Sequence, residues 1–563
     1  MTVANANPGA DTIAFNIPGP GVHTIAPITP LPPLTDVAGV TIDGYTQPGA
    51  HPNTLAVGND ATLRIELSGA LAGEQVAGLD VRSPATIRGL VINRFDRVGI
   101  SIRSSEVTVV GCFVGTDPTG SAALPNRYGI SAFPEDPKVV LPLVGIVIGG
   151  RSAEDRNLVS GNVFDGVSVF ASSGTEFLGN YIGTNAAGDA ALPNGGAGIV
   201  VNSSEKARVG GGEAAARNVL SGNLGAGVLF SVAGQSSVEG NLIGTSATGK
   251  TLLPNSPGVW AFGSQQIVIG GATPDLGNVI AGNRIHGVRL SGFSTMNNSI
   301  LGNSIRDNGS LGIDLGSDGV SPNDAGDGDG GPNFLQNFPV LSSANVKSGQ
   351  TTISGTLNRS PKASFRVEFF SSDACDPSGF GEGANFLGSA NVTIDMSGNA
   401  SFAVTLSVES SAGQVVTATA TDPNGNTSEF SACQSIAVGQ QFFTVAPCRV
   451  VDTRNAVGPL GGPALAGHSD RTFALAGTCG IPSSAMSVAA NLTVTQAVAP
   501  GHLTTHRAGT GTPLASTINF SAGQTRANNA IPGLSMDGTG SVTVENAAAG
   551  PVHFILDVSG YFE

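Results

Sequence analysis

Internal repeats constrain the fold of this chain more than any other feature. One motif, of the form "VGTDPTGSAALPN", occurs three times, at 114–126, 182–194 and 243–255. A second motif, of the form "IGGRSAEDRNLVSGN", alternates with it at 148–162, 209–223 and 269–283. The glycines of the second motif, Gly149, Gly210 and Gly270, are 61 and 60 residues apart. Such periods are typical of solenoids, in which one repeat cannot bury its apolar face alone.

A shorter pattern within the repeats describes a single coil. A glycine followed by Ile or Val opens each one, at Gly99, Gly129, Gly166, Gly198, Gly227, Gly258, Gly287 and Gly312. An asparagine precedes most of these glycines, at Asn126, Asn162, Asn194, Asn223, Asn255, Asn283 and Asn308. Asn and Gly supply the left-handed backbone positions of tight corners, and the alternating residues after each glycine predict short strands. Helical periodicity is nearly absent. We therefore predict an all-β fold that begins with a β-solenoid over residues 1–340.

The composition excludes several other classes of protein. The 80 Gly and 33 Pro in 563 residues follow no Gly-X-Y period, which excludes collagen. A mean hydropathy of +0.15 argues against a disordered chain. The net charge of −15 argues against binding to the nucleic-acid backbone. No run of 18 apolar residues occurs, so we expect no transmembrane helix.

The motifs resemble a known family. "IGT…G…LPN", "IGG…RN…SGN", "VTIDGYTQPGA" and the stretch "GNSIRDNGSLGIDLGSDGVSPNDAGDGDGGPNFLQNFPVL" are similar to those of bacterial right-handed parallel β-helix repeat proteins, which share the pectate-lyase-like architecture. The resemblance covers about residues 7–340 and implies a fold rather than an activity. A left-handed helix is the alternative, and it is disfavoured because coils run near 30 residues without strict hexapeptides. Full-length family members usually carry a short capping segment before "ANPGADTI", and this sequence lacks it. We therefore expect a secreted protein whose signal peptide lies outside this sequence.

Two further β-rich domains are expected after the solenoid. Residues 341–437 alternate like a β-sandwich and resemble the immunoglobulin-like module that often follows such helices. Residues 438–563 resemble a β-rich terminal module of secreted bacterial proteins, for which attachment to a cell surface is the analogy. Cysteines suit an oxidising compartment, because one pair falls within each domain. We expect disulfides Cys375–Cys433 and Cys448–Cys479, with Cys112 free; five free thiols are the alternative.

Alternation after each coil glycine predicts which side chains face outward. The second and fourth positions after the glycine then form two outward columns along the solenoid, and these columns carry several aromatic rings. We expect a polysaccharide to bind there, through Arg103, Phe133, Phe170, Asn202, Trp260 and Phe262. Two other interpretations stay open: the "GT…LPN" loops cover the rings, or the rings contact another protein.

Few side chains in these columns could act in catalysis. Trp260, Arg289 and Asp314 fall on three successive coils, and His286 precedes the strand of Arg289. In a β-elimination on a uronate, Arg289 would neutralise the carboxylate and His286 would act as the base, with Asp314 beside them. The structural alternative is that Arg289 pairs with Asp314 and stacks on Trp260. A hydrolase needs two carboxylates, and Asp165 is expected to lie at a distant corner.

An acidic loop is a candidate metal site. "SPNDAGDGDGGPN" brings Asp324, Asp327 and Asp329 together in a Gly-rich segment, which suits Ca²⁺. A solvated linker is the alternative, and "TDPNGNTSE", with Asp422 and Glu429, is a weaker second candidate. Three functions therefore remain in view: an extracellular polysaccharide-binding protein, a polysaccharide lyase or related enzyme, and a structural or adhesive surface protein.

Overall fold

The computed structural model describes residues 1–135, 141–347, 349–359, 363–408, 411, 413–438 and 440–563. The chain divides into two compact units, Met1–Ala437 and Val438–Glu563. The described residues contain no α-helix and only short 3₁₀-helices, at Ala4–Ala6, Gly44–Thr46, Gly69–Leu71, Ala153–Asp155, Ala214–Ala216 and Pro332–Leu335. None of these helices has the length to cross a membrane.

The first unit begins with a parallel β-helix, whose chain visits three sheets in turn. The first sheet has ten strands: Asp11–Ala14, Val40–Asp43, Ala85–Arg88, Val107–Val110, Val147–Gly149, Glu176–Leu178, Arg208–Gly210, Ser237–Glu239, Val268–Gly270 and Ser299–Leu301. The second sheet also has ten: His23–Ile25, Ile65–Ser68, Leu90–Asn93, Phe113–Val114, Leu158–Val159, Tyr181–Ile182, Val219–Leu220, Leu242–Ile243, Val279–Ala281 and Ser304–Arg306. The third sheet has nine: Leu79–Val81, Val98–Ile102, Tyr128–Ala132, Val167–Phe170, Ile199–Asn202, Val228–Ser231, Val259–Phe262, Val288–Ser291 and Ile313–Leu315. A small extra pair joins Leu143–Val144 to Ser172–Ser173.

Each strand of the helix pairs in parallel with the equivalent strand of the next coil. In the third sheet, for example, Val167 pairs with Ile199 and Ile199 with Val228. These inward residues are fully buried, so that one apolar core runs through the coils. Connections between parallel strands are right-handed almost without exception. The predicted fold class, an all-β right-handed parallel β-helix followed by β-domains, is confirmed.

Two ladders of asparagine side chains hold the corners of the coils. In each ladder, the Nδ2 amide of one asparagine donates to the Oδ1 of the asparagine one coil further on, over 2.8–3.2 Å. The first ladder contains the asparagines singled out in the sequence: Asn126, Asn162, Asn194, Asn223, Asn255, Asn283 and Asn308. The second ladder contains Asn157, Asn180, Asn218, Asn241, Asn278 and Asn303. Repeated asparagines therefore form continuous buried hydrogen-bond chains, which satisfy polar groups that would otherwise be buried unpaired.

The β-helix is followed, within the same unit, by a seven-stranded sheet with its own apolar core. In sheet order its strands are Asn385–Thr393, Ser364–Ser372, Val415–Thr421, Gln434–Val438, Val340–Lys347, Gln350–Asn358 and Asn399–Leu406. The predicted disulfide between Cys375 and Cys433 is present here.

Three buried glutamates of this sheet region cap the last coil of the β-helix. Glu368 accepts a hydrogen bond from the backbone N–H of Gly302 at 2.8 Å. Glu429 accepts one from the N–H of Leu315 at 2.8 Å. Glu382 accepts from Nδ2 of Asn308 at 2.8 Å and so ends the first asparagine ladder. The open end of a solenoid exposes unpaired polar groups, and these carboxylates supply acceptors for them.

The second unit consists of two four-stranded antiparallel sheets that enclose one core. The first contains Phe442–Asp452, His553–Phe562, Ser487–Thr495 and Arg526–Ala530, and the second Ser469–Ala474, Ser541–Asn546, Gly501–Arg507 and Ile518–Phe520. The predicted disulfide between Cys448 and Cys479 is present. Cys112, in the β-helix, is free and buried, and burial raises the pKa of its thiol to about 12.

Candidate functional site

The candidate site is the outer face of the third sheet. Its strands bring the second residue after each coil glycine into one register, as the sequence predicts. That column reads Asp80, Ser101, Ser131, Ser168, Val200, Leu229, Trp260, Arg289 and Asp314. The fourth positions form a parallel column of Phe170, Asn202, Ser231, Phe262 and Ser291. Neighbours within a column lie about 4.8 Å apart, the strand spacing of a sheet.

The repeated "GT…LPN" loops lie over the second sheet. Ala186 and Ala247 of these loops pack against a cluster of apolar side chains on the outer face of that sheet, which includes Phe113, Leu158 and Tyr181. Successive loops also bond to each other, since the N–H of Ala186 donates to the carbonyl of Gly120 at 2.9 Å. These loops therefore bury the aromatic rings of the second sheet. Phe170 and Phe262, on the third sheet, remain 42 % and 45 % exposed.

The aromatic side chains on this face of the β-helix form two groups. Phe133 and Phe170 lie on adjacent coils, and Trp260 and Phe262 share a strand three coils beyond Phe170. Asn202 and Ser231 separate Phe170 from Phe262 in their column. The aromatic rings are therefore not contiguous, because the two coils between these groups place short polar side chains at the equivalent positions.

The first group lines a cleft of about 350 Å³, which we call the N-terminal cleft. Phe133 and Phe170 supply apolar walls, and the guanidinium of Arg103 lies 4.8 Å from the centre of the Phe133 ring. Arg103 also pairs with Asp80 at 3.1 Å, so its charge is already matched. The polar lining of the cleft consists of Arg97, Tyr128, Ser131, Asp165, Ser168 and Asn202.

Asp165 lies in the N-terminal cleft, although its place in the sequence suggests a distant corner. It comes directly before the coil glycine Gly166, and this position turns its side chain toward the same face as Phe170. Its Oδ1 accepts a hydrogen bond from the N–H of Ala197 at 2.8 Å. A Cβ at position 196 would lie 2.1 Å from this oxygen, so Gly196 makes room for the carboxyl group. Burial raises the pKa of Asp165.

Sequence reasoning also missed Arg97 and Tyr128. The residue before the coil glycine is Val, Ala, Pro or Leu in most coils, but it is Tyr128, Asp165 and His286 in three of them. That departure from an apolar pattern is a signal that could have identified these positions. Arg97 carries no comparable signal, because it belongs to an irregular corner.

The second group, the C-terminal cluster, contains Trp260, Phe262, His286, Arg289 and Asp314. The indole N–H of Trp260 donates to Oγ of Ser291 at 2.8 Å. Arg289 lies 4.6 Å above the indole ring, a cation–π contact. Among the described residues, Arg289 forms no ion pair with Asp314, so the structural alternative holds for the stacking but not for the pairing.

His286 and Asp314 form a pair in this cluster. Nδ1 of His286 lies 3.3 Å from Oδ2 of Asp314, whose side chain is fully buried. The prediction that Asp314 faces solvent is therefore wrong, since its position on the last strand is covered. Burial lowers the pKa of His286, and the nearby charge of Arg289 acts in the same direction, while Asp314 opposes both. A neutral imidazole beside a buried carboxylate can accept a proton.

Comparisons with known proteins identify no family for this chain. No protein-family model matches the sequence, and a search of curated proteins finds no match. Among solved structures, the A-module of the mannuronan C-5 epimerase AlgE4 from Azotobacter vinelandii aligns with 15 % identity over 49 % of this chain and 82 % of the module, at a TM-score of 0.25. The tailspike protein gp49 of Acinetobacter baumannii bacteriophage Fri1, a capsular polysaccharide depolymerase, aligns with 13 % identity over 71 % of this chain and 65 % of its own, at a TM-score of 0.19. Similarities this weak carry no functional argument, and the strand pairing alone establishes the fold.

The acidic loop brings its three carboxylates together. Ligand oxygens of Asp324, Asp327 and Asp329 all lie within 4.8 Å of one another, a donor set that suits a hard cation. Asp327 also forms an ion pair with Arg359, which sequence reasoning missed. Burial raises the pKa of Asp327 to about 6, although Arg359 opposes this shift. The guanidinium thus already neutralises part of the charge that a cation would balance.

The weaker second metal candidate is not assembled in the described part of the chain. Asp422 accepts hydrogen bonds from the N–H groups of Asn424 and Asn426, both at 2.8 Å. Glu429 accepts hydrogen bonds from the N–H groups of Leu315 and Ser321 and so belongs to the cap of the β-helix. Both carboxylates therefore have structural partners, and the described residues group neither with a third metal-binding side chain.

Proposed function

We propose that this chain is an extracellular protein that binds a polysaccharide along the outer face of the third sheet. The observation that carries the proposal is the N-terminal cleft, where two aromatic rings face a row of polar groups. Clefts that combine apolar walls with a few convergent polar groups are typical of ligand sites. The two disulfides are consistent with secretion. Attachment to a cell surface through the second unit stays a prediction.

The length of the face favours a polymer over a single sugar. Phe170 and Phe262 are three coils apart in one column, which corresponds to roughly 14 Å at the usual strand spacing. A ligand that contacts both aromatic groups must therefore span several sugar units. Between them, Val200 and Leu229 offer apolar contact, and Asn202 and Ser231 offer hydrogen bonds.

A glycan panel tests this proposal directly. Binding of the full chain to neutral and acidic polysaccharides is measured by affinity electrophoresis, for the wild type and for Phe170→Ala. We expect at least one polymer to bind and the substitution to weaken it. Leu224→Ala removes another exposed apolar side chain away from the column and serves as the matched control. If Phe170→Ala and Leu224→Ala bind as the wild type does, the face is not the binding surface.

A polysaccharide lyase is the second candidate, and the His286–Asp314 pair favours it. In a β-elimination, His286 would take the proton from C5 of a uronate while the electron pair forms the C4–C5 double bond. The C4–O4 bond then breaks, and the leaving oxygen takes a proton from solvent. Formation of the unsaturated end is measured by its ultraviolet absorbance. His286→Gln should abolish the product without loss of binding; if the wild type forms no such product, the chain is a binding or structural surface protein.

A further inference from the structure

The N-terminal cleft contains polar groups that the protein itself leaves unpaired. Within the described residues, the guanidinium of Arg97, the hydroxyl of Tyr128 and Oδ2 of Asp165 have no hydrogen-bond or ion-pair partner. Arg97 and Asp165 line the same cleft, yet no ion pair joins them. All three side chains are partly buried. Their polar atoms are open to the cleft, so all three are available to a ligand that lies between the two aromatic walls.

We propose that this cleft recognises the carboxylate of an acidic sugar unit, with Arg97 as its cationic partner and Asp165, when protonated, as a hydrogen-bond donor. This inference rests on the proposed function, because it names the class of glycan that the same face binds. An unpaired guanidinium can form two parallel hydrogen bonds with a carboxylate. The net charge of −15 repels such a polymer over the molecule as a whole, so a local cation is needed.

Asp165 can donate only when it is protonated. Oδ1 is occupied by the N–H of Ala197, which leaves Oδ2 for the proton and for the ligand. Arg97 and Tyr128 are the other titratable groups that line the cleft, and Arg127 lies outside it, 5.6 Å from the Phe164 ring. Burial raises the pKa of Asp165. An ionised Asp165 would instead repel the carboxylate of the sugar.

The polymer itself distinguishes this inference from the proposed function. Polygalacturonate and polymannuronate are each compared with their carboxyl-reduced, neutral counterparts, and dextran sulfate is included as a sulfated polyanion. We expect a polyuronate to bind at least about tenfold more tightly than its neutral counterpart, the usual effect of one charged hydrogen-bonded pair. If the neutral polymer binds equally well, the inference fails while the proposed function stands. If no polymer binds, the proposed function fails. Preference for dextran sulfate would overturn the assignment to a carboxylate.

Asp165→Asn is the most informative variant, because the amide of the asparagine mimics the protonated acid at every pH. Its Oδ1 can still accept from Ala197, and its Nδ2 can donate to the ligand. For the wild type, we expect binding of the polyuronate to weaken as the pH rises and Asp165 ionises. The variant should lack this dependence on pH and should bind more tightly than the wild type at pH 8. Weaker binding by Asp165→Asn than by the wild type at pH 8 would overturn the proposal.

Arg97→Gln tests the cation, with Arg127→Gln as its matched control. The first should weaken binding of the polyuronate roughly tenfold and weaken binding of the neutral polymer by clearly less. Arg127, which stacks on Phe164 outside the cleft, should have little effect on either. Equal losses from the two substitutions would indicate a diffuse effect of positive charge and would contradict a specific site. Thermal unfolding of each variant checks that the β-helix remains folded.

Discussion

Trp260 is the one tryptophan of the chain, so its fluorescence reports on a single position of the proposed binding face. One face of its indole packs against Arg289, and the ring is partly buried. We expect a bound polysaccharide to change its emission, because contact with the ligand replaces water. Trp260→Ala should weaken binding by about 1–3 kcal/mol, as for an aromatic hot spot. Titrations measure both effects, and an emission that no glycan alters would remove Trp260 from the site.

Residue positions along the β-helix could be predicted from the sequence because the coil glycine sets a local register. Counting from it placed Ser168, Trp260 and Arg289 in one column, where the strand pairing has them. Residues that are far apart in the sequence and close in the fold carry no such register. Arg359 is 32 residues from Asp327, and Asp165 is 68 residues from Arg97. Asp327 forms an ion pair with Arg359, whereas Asp165 and Arg97 only line the same cleft; proximity of either kind depends on tertiary packing, which no repeat encodes.

At the scale of elements, the asparagine ladder should make a large contribution to the stability of the β-helix. Asn194 lies in the middle, where Oδ1 accepts from Nδ2 of Asn162 and Nδ2 donates to Oδ1 of Asn223. Asn194→Ala leaves buried groups of both neighbours unpaired, at about 1–3 kcal/mol for each group. Urea unfolding should therefore show a lower midpoint. Asn202→Ala, on the outer face, is the control; equal midpoints for the two variants would contradict the role of the ladder.

The acidic loop is a second element with a testable role. We propose that Asp324, Asp327 and Asp329 hold Ca²⁺, which would stabilise the native state by mass action. A chelator should then lower the melting temperature of the wild type, and Asp329→Asn should remove this sensitivity. Asp318→Asn replaces a nearby acid outside the cluster and should leave it intact. If the chelator does not change the melting temperature, Ca²⁺ does not stabilise the loop, and its carboxylates are balanced by the guanidinium of Arg359 alone.

The whole first unit depends on how the end of the β-helix is closed. The repeats predict where the coils lie, but not how the last coil is covered, because a cap has no period. The glutamates Glu368, Glu382 and Glu429 come from a segment whose sequence is typical of an ordinary β-domain. Their role becomes visible only when the sheet is placed against the coil. Likewise, the sequence could not tell that the repeated loops cover the second sheet and leave the third one open.

This cap predicts an unusual dependence of stability on pH. Burial raises the pKa of Glu382 to about 7 and that of Glu429 to about 7, from an ordinary value of 4.5. The folded unit therefore binds these protons more tightly than the unfolded chain does. Their contribution to stability is complete below pH 4.5 and is lost as the pH rises through about 7.

We therefore expect Glu382→Gln to narrow the difference in stability of the first unit between pH 5 and pH 8. For Glu382 alone that difference is at most about 3 kcal/mol, because its pKa rises from 4.5 to about 7. Glutamine keeps an oxygen that accepts from Asn308 but cannot ionise, so the variant should gain stability relative to the wild type at pH 8. Urea unfolding at both pH values measures this difference in stability.

Glu205→Gln, which replaces an exposed acid outside the cap, should behave as the wild type. A wild type that is equally stable at both pH values, and unaffected by Glu382→Gln, would show that the carboxylate stays ionised in the cap, held by the N–H groups it accepts.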